Sequence, residues 1–279
     1  MLEDVGPGGL SLGRSAPQAG AGLLQAGDRV LLIDAKRRRY LVRLRAGASF
    51  HTHAGIVAHD DVIGIPEGST VTATTGRRFL VLRPSFADVV VKMPRGAQVI
   101  YPKDLGAIVI AGDIAPGCRV LEAGVGSGAL SMAMLRAGAT VVGYERRADF
   151  AERAEQNVAE WVGAEAAYTV EQRDVYDGIG PGPWDRIVLD LPEPWRVVDH
   201  AVSALRPGGT LLAYLPTINQ TAQLRQALDQ APFSLAETVE ILRRTWHVEE
   251  RSVRPAHRMV AHTGFITPAR LVVPPTETL

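Results

Sequence analysis

Four carboxylates and a run of glycines carry the chemistry this chain is equipped to do. Val120-Leu121-Glu122-Ala123-Gly124-Val125-Gly126-Ser127-Gly128 joins a short apolar run to three alternating glycines. Glu145 stands 17 residues after Gly128, at the end of a second apolar run, Val141-Val142-Gly143-Tyr144. Glycines let the backbone turn tightly and approach a ligand, and an acid ending the next strand accepts hydrogen bonds from ribose hydroxyls. Together they predict a nucleoside-binding βαβ unit. Asp174, in Gln172-Arg173-Asp174-Val175, is placed to accept from the exocyclic amine of an adenine. Asp190 opens Asp190-Leu191-Pro192-Glu193-Pro194-Trp195, where prolines fix a loop and an acid and an aromatic ring suit a planar acceptor with an N–H. The first turn of a helix is enough to account for Pro194, but it leaves Asp190 unexplained.

The glycines alone do not decide the cofactor. Gly124-x-Gly126-x-x-Ala129 also satisfies the dinucleotide fingerprint, so an NAD enzyme stays open. Glu122, two residues before the first glycine, favours S-adenosylmethionine, because a methyltransferase keeps an acid there near the methionine end. A dinucleotide site gains little from a carboxylate beside its pyrophosphate, and has less use for a third acid such as Asp174.

These residues need a scaffold, and the pattern along the chain supplies one. Residues 1–25 are rich in Gly, Ala, Ser and Pro and are expected to form a mobile tail. Residues 26–84 show short β-like runs (29–33, 40–44, 71–74 and 79–82) separated by turns, which predicts a small N-terminal β domain. Residues 85–115 read as a connector with a helix over Lys103 to Ala111. From 116 to 279 strands and helices alternate, predicting an α/β fold with helices on both faces of a mostly parallel sheet. Strands are expected at 119–123, 140–145, 168–173, 186–191 and 209–215, with a final pair near 235–242 and 262–267. Helices are expected at 128–137, 148–162, 195–205 and 217–230. In such a sheet ligands bind beyond the carboxyl ends of the strands, where Glu122, Glu145, Asp174 and Asp190 all fall.

Composition bounds the setting. The 279 residues are 46% hydrophobic and 22% charged, as in a globular protein that does not span a membrane. No uninterrupted apolar run approaches the roughly 20 residues of a membrane span. The opening Met1-Leu2-Glu3-Asp4 carries acids where a signal peptide carries lysine or arginine. A single cysteine, Cys118, forbids an internal disulfide and fits a reducing cytoplasm. The net charge of zero hides an asymmetry: residues 1–110 hold 14 Lys/Arg against 9 Asp/Glu, and residues 111–279 hold 16 against 21. A basic third beside an acidic catalytic part points to a polyanionic partner. Solvated surface charge is the plainer account.

Over residues 27–267 the chain resembles the bacterial tRNA (adenine-N1)-methyltransferases that modify the T-loop adenine at tRNA position 58. The resemblance rests on His51-Thr52-His53-Ala54-Gly55 with His59, Met93 to Asp104, the glycine motif, Asp190 to Trp195, and His262-Thr263-Gly264-Phe265. Tyr101-Pro102-Lys103-Asp104 is the most specific of these, because generic methyltransferases lack it. The resemblance implies a Rossmann-like class I methyltransferase domain using S-adenosyl-L-methionine on tRNA, in a cytoplasmic homotetramer. It implies that Gln98 and Tyr101 border the cofactor and acceptor pocket, and that Glu122, Gly124, Gly126, Ser127, Gly128, Ala129 and Leu130 surround the methionine part. Glu145 would hold the ribose with Arg146 beside it, Asp174 would meet the adenine, and Asp190 the target base, with Asp190 and Tyr101 as the catalytic pair. Expected phosphate contacts are drawn from Lys36, Arg37, Arg38, Arg39, Arg77, Arg78, Arg95, Arg243, Arg244, Arg254 and Arg258. No metal is expected: His51, His53 and His59 lack nearby cysteines or an HExxH pattern and are read as hydrogen-bonding residues. A methyltransferase for a small molecule or protein, and an RNA-binding protein without catalysis, stay open as alternatives.

Overall fold

The structure, a computed structural model, describes residues 22–96 and 98–273. The N-terminal part contains β1 (Arg29–Asp34), β2 (Arg39–Arg43), β3 (Ser49–Thr52), β4 (Gly55–Ala58), β5 (Thr70–Thr72) and β6 (Arg78–Leu82). Alternating apolar residues close an antiparallel sheet in the order β2-β1-β6-β5, and β3 and β4 form a separate hairpin. Their inward faces, with Leu24, Val30, Leu32, Val42, Leu44, Phe79 and Val81, make one core. Burying a ring such as Phe79 contributes roughly 1.5–3 kcal/mol. The expected tail lies outside the described residues up to residue 21. Leu24 already belongs to the core, its N–H donating to the Ile65 carbonyl at 2.8 Å. The β3–β4 hairpin was not expected, because His51-Thr52-His53-Ala54-Gly55 carries few β-formers.

Two helices link this part to the catalytic sheet. In α1 (Phe86–Lys92), Ser85 and Asp88 form a reciprocal capping box. In α2 (Pro102–Ala111), Pro102 occupies the first turn, where its missing N–H costs nothing.

The catalytic part runs β7 (Arg119–Ala123), α3 (Ala129–Arg136), β8 (Thr140–Glu145), α4 (Ala148–Trp161), β9 (Tyr168–Gln172), β10 (Trp184–Leu189), α5 (Val198–Ala204), β11 (Leu205–Leu215), α6 (Ile218–Asp229), β12 (Phe233–Ser234), β13 (Val239–Glu240), β14 (Trp246–Glu249), β15 (Ser252–Pro255) and β16 (Phe265–Leu271). The sheet order is β12-β16-β11-β10-β7-β8-β9, with β13 also on β16. Strands β7 to β11 are mutually parallel and β16 is antiparallel to β11. The chain leaves β7 toward β8 on one side and returns as β10 on the other. That reversal opens a crevice beyond the ends of β7 and β10, where ligands bind in such sheets. Among the described residues no helix is long and apolar enough to cross a membrane.

Four expectations need correction. The fifth strand begins at Leu205 rather than 209, because Pro207-Gly208-Gly209 is absorbed as an irregularity against β10, with Gly208 at φ 73°. The helix expected at 195–205 is divided into a tight 3-10 turn at Pro194–Val197 and the short α5. The strand expected at 235–242 is replaced by β12 and β13, since Leu235 adopts φ 56° and breaks the extension. Its partner, expected at 262–267, runs over Phe265–Leu271.

Candidate active site

The three glycines do three different jobs. All are left-handed, with φ of 86° at Gly124, 57° at Gly126 and 79° at Gly128. A Cβ on Gly124 would overlap the carbonyl oxygen of Asp190, so only glycine lets the two strand ends meet. There the Asp190 N–H donates to the Ala123 carbonyl at 2.9 Å, and the Gly124 N–H to the Tyr144 carbonyl at 3.1 Å. Gly126 faces open space, leaving room for a ligand. Gly128 caps α3, where a Cβ would sit 3.3 Å from the Ala154 backbone. Beside it, Ser127 is tied down by an unforeseen residue: buried Asn157 donates to the Ser127 carbonyl at 2.9 Å and to the Pro94 carbonyl at 3.3 Å.

Each acid is held differently. Glu145, at the end of β8, accepts from the Gly126 and Arg147 N–H groups at 3.0 Å each, which aims its carboxylate across the turn. Asp174 accepts from the Tyr176 N–H at 3.0 Å and lies 3.9 Å from the Arg146 guanidinium. Half-buried Asp190 is pushed by desolvation up to about 7. Glu122 is fully buried: one oxygen accepts from the Ser131 hydroxyl, and the other has no partner. Burial raises it to about 8, opposed by the Ser131 bond and reinforced by the charges of Asp190 and Glu145. Ser131 in turn lies 3.2 Å from the Tyr168 hydroxyl.

One cavity of about 630 Å³ gathers Gln98, Gly124, Gly126, Glu145, Arg146, Asp174 and Asp190. Its volume is that of an ordinary small-ligand site. It is completed by Arg173 and Glu193, which lie in the motifs of Asp174 and Asp190, and by Arg147, Phe150, Tyr176 and Arg196, which the sequence reading missed. The other expected cofactor residues, Glu122, Ser127, Gly128, Ala129 and Leu130, are buried and do not line it. Tyr101 lines a separate cavity of about 240 Å³. The larger cavity suits S-adenosylmethionine. Its carboxylates can accept from ribose hydroxyls and an amine, and can offset the charge of a sulfonium. Its guanidiniums are already engaged, Arg147 with Asp149 at 2.8 Å and Arg196 with Glu193 at 3.0 Å, so little positive charge remains for a pyrophosphate.

The Tyr-Pro-Lys-Asp element meets the His-Thr-Gly-Phe element in space. Lys103 Nζ pairs with Asp104 at 2.7 Å, donates to the Ile241 carbonyl at 2.6 Å and contacts the Thr263 hydroxyl. Thr263 donates to Asp104 at 2.7 Å, and the Tyr214 hydroxyl lies 3.5 Å from the same carboxylate. Gly264 lies flat against the Tyr214 ring, where a Cβ would clash. The two motifs thus clamp the start of α2 to β11 and β16.

The expected RNA contacts divide into two groups. Arg38 pairs with Asp34 at 2.6 Å and Arg39 with Asp88 at 2.6 Å, so half of the Lys36–Arg39 run is spent within the β domain. Lys36, Arg37, Arg77, Arg78, Arg95, Arg243, Arg244, Arg254 and Arg258 are exposed. Buried His59 accepts from the Arg45 N–H at 3.0 Å, whereas His51 and His53 are exposed; no metal-type cluster occurs among the described residues.

Known proteins place this arrangement. The family of the tRNA methyltransferase complex GCD14 subunit matches residues 79–263, and the TrmI-like N-terminal family matches residues 22–71. The tRNA (adenine(58)-N(1))-methyltransferase TrmI of Thermus thermophilus is 37% identical over 245 residues, spanning 86% of this chain and 96% of the relative. A SAM-dependent O-methyltransferase from Thermotoga maritima superposes with a TM-score of 0.88 at 35% identity, covering 92% of this chain and 97% of the other. The tRNA (m1A58) methyltransferase TrmI of Aquifex aeolicus gives a TM-score of 0.81 at 28% identity, covering 90% and 100%. The chain belongs to the GCD14/TrmI family of tRNA methyltransferases.

Proposed function

We infer that this protein transfers a methyl group from S-adenosylmethionine to N1 of adenine 58 in tRNA. The observation that carries the reading is the meeting of Glu145, Asp174 and Asp190 in one crevice of a chain from this family. Bound S-adenosylmethionine supplies an electrophilic sulfonium methyl; the N1–carbon bond forms as the sulfur–carbon bond breaks, its electron pair going to sulfur. Adenine N1 already carries a lone pair, so no base must act before attack. Positive charge grows on the adenine ring, and ionised Asp190 accepting from the exocyclic N6–H stabilises it. Glu145 and Asp174 hold the ribose and adenine of the cofactor, so the rest of catalysis is in-line positioning. We assign Tyr101, three residues beyond Gln98 on the same segment, to the acceptor side. Buried Glu122, Ser127, Gly128, Ala129 and Leu130 support the cofactor turn from beneath.

Affinity for tRNA comes from phosphate contacts with the exposed cations, and the target base must be extracted from the folded elbow. Self-association is part of the proposal. Among the described residues hairpin β14–β15 pairs with no other strand, and it exposes Trp246, Val248 and Val253, an apolar patch suited to a second copy. A cytoplasmic setting follows from the substrate.

A second reading has one observation in its favour, the O-methyltransferase relative from Thermotoga maritima. There Asp190, raised to about 7, would act as the base for a hydroxyl. Mass spectrometry of unmodified tRNA after incubation with the protein and S-adenosylmethionine, with nuclease mapping, separates the two. N1-methyladenine at position 58 is the expected product. Cofactor turnover only on a hydroxyl-bearing small molecule would overturn the first reading.

A further inference from the structure

The smaller cavity calls for its own explanation. Its lining includes Tyr101, Lys103, Arg243, Arg258, Met259 and Val260. At about 240 Å³ it falls below the size of a drug-like site. It has room for about one nucleotide and none for a second cofactor.

Its charges are arranged unusually. Lys103 lines the cavity, but its ammonium is consumed by Asp104, Ile241 and Thr263. Arg243 and Arg258 have no carboxylate within ion-pair distance among the described residues. Two uncompensated guanidiniums beside a phenol ring and a methionine match a phosphate with an attached planar base: forked N–H donors for the oxygens, apolar faces for the ring.

Its position is fixed relative to the catalytic crevice. Gln98 lines the cofactor cavity and Tyr101 the smaller one. Val99 and Ile100 between them are each 5% exposed, so this stretch is a packed strut and not a loose loop. Three residues span at most about 11 Å. The second cavity therefore lies a short step from the first.

We propose that this cavity is a subsite for a nucleotide neighbouring the target adenine, its phosphate held by Arg243 and Arg258 and its base against Tyr101 and Met259. The proposal rests on the tRNA reading above and adds a defined contact to it. It concerns RNA placement, and no bond is made or broken there.

The test uses full-length protein carrying Arg243→Gln, Arg258→Gln or both, with unmodified tRNA at several salt concentrations. Each single change is expected to raise KM for tRNA about tenfold and to lower the slope of log affinity against log salt by about one. Affinity for S-adenosylmethionine should be unchanged. Sedimentation in parallel reports the assembly state. Variants that keep the wild-type KM and salt slope overturn the subsite, as does a loss of tRNA affinity that follows dissociation of the assembly without a change in slope. Wild-type protein that methylates no tRNA would overturn the functional reading itself, a result distinct from either.

Discussion

The arginines around the cofactor cavity and those of segment 243–258 are built on opposite plans. At the cavity each guanidinium has company. Arg147 lies 4.0 Å from the Phe150 ring centroid and pairs with Asp149; Arg196 lies 4.2 Å from Tyr176 and pairs with Glu193; Arg173 lies over Tyr144. In the other segment Arg243, Arg244, Arg251, Arg254 and Arg258 have no ion-pair partner among the described residues. A paired, stacked guanidinium is a wall that leaves carboxylates to set the local field. An unpaired one is a standing invitation to an anion. On the proposed function, the contrast would let a chain of zero net charge hold a cationic cofactor and a polyanionic substrate side by side.

The comparison can be broken at its acidic end first. Asp190→Asn should lower kcat by about 10²–10³-fold with cofactor affinity retained, the size expected for a group that stabilises charge developing in the transition state; full turnover would remove Asp190 from the chemistry. Gly124→Ala should cost on the order of a few kcal/mol in thermal or denaturant unfolding, because it combines left-handed strain with a backbone overlap. A variant as stable as the parent would mean that the two strand ends can part.

Acid–base behaviour sharpens the same end. Because Asp190 titrates at about 7, kcat/KM for tRNA should rise about tenfold between pH 6 and pH 8 and then level off. Asp190→Asn should flatten that profile. Glu122 supplies a stability counterpart. Its pKa is raised to about 8 in the fold, so the unfolded chain loses this proton first as pH rises. Stability is fully present below the ordinary Glu range and is lost as pH climbs toward 8. Glu122→Gln should remove that decline in cofactor-free protein, an effect on the order of a few kcal/mol at pH 8. An unchanged pH–stability curve would mean that Glu122 is already ionised in the fold.

The smallest effect belongs to the basic wall. Arg147→Gln should leave the salt dependence of tRNA affinity unchanged, since its charge is already matched by Asp149. A drop in slope comparable to that of Arg243→Gln would dissolve the distinction.

Much of this could be read from the chain alone. Strands β7 and β8 fall at 119–123 and 140–145 as expected, because each is a buried apolar run closed by a glycine turn or an acid. The parallel architecture followed from the alternation of such runs with helical stretches. The β14–β15 hairpin escaped notice because its turn, around Glu250 at φ 42°, carries no glycine and its strands are only four residues each, one of them ending in Pro255. In the cavity, strand-end acids announce themselves by position. Asn157 and Tyr176 do not, since a helical asparagine and a tyrosine in a 3-10 turn acquire their meaning only from partners 30 and 17 residues away. The pairing of Lys103 and Asp104 with Thr263 likewise joins two motifs that look independent in sequence.

The contact between Gly124 and the Asp190 carbonyl has a consequence for timing. The glycine turn after β7 and the strand end that carries Asp190 cannot move apart without breaking the seam between β7 and β10. Their mutual placement is settled once, when the chain folds, and is not renegotiated at each turnover. What remains variable from cycle to cycle is the arrival of the RNA.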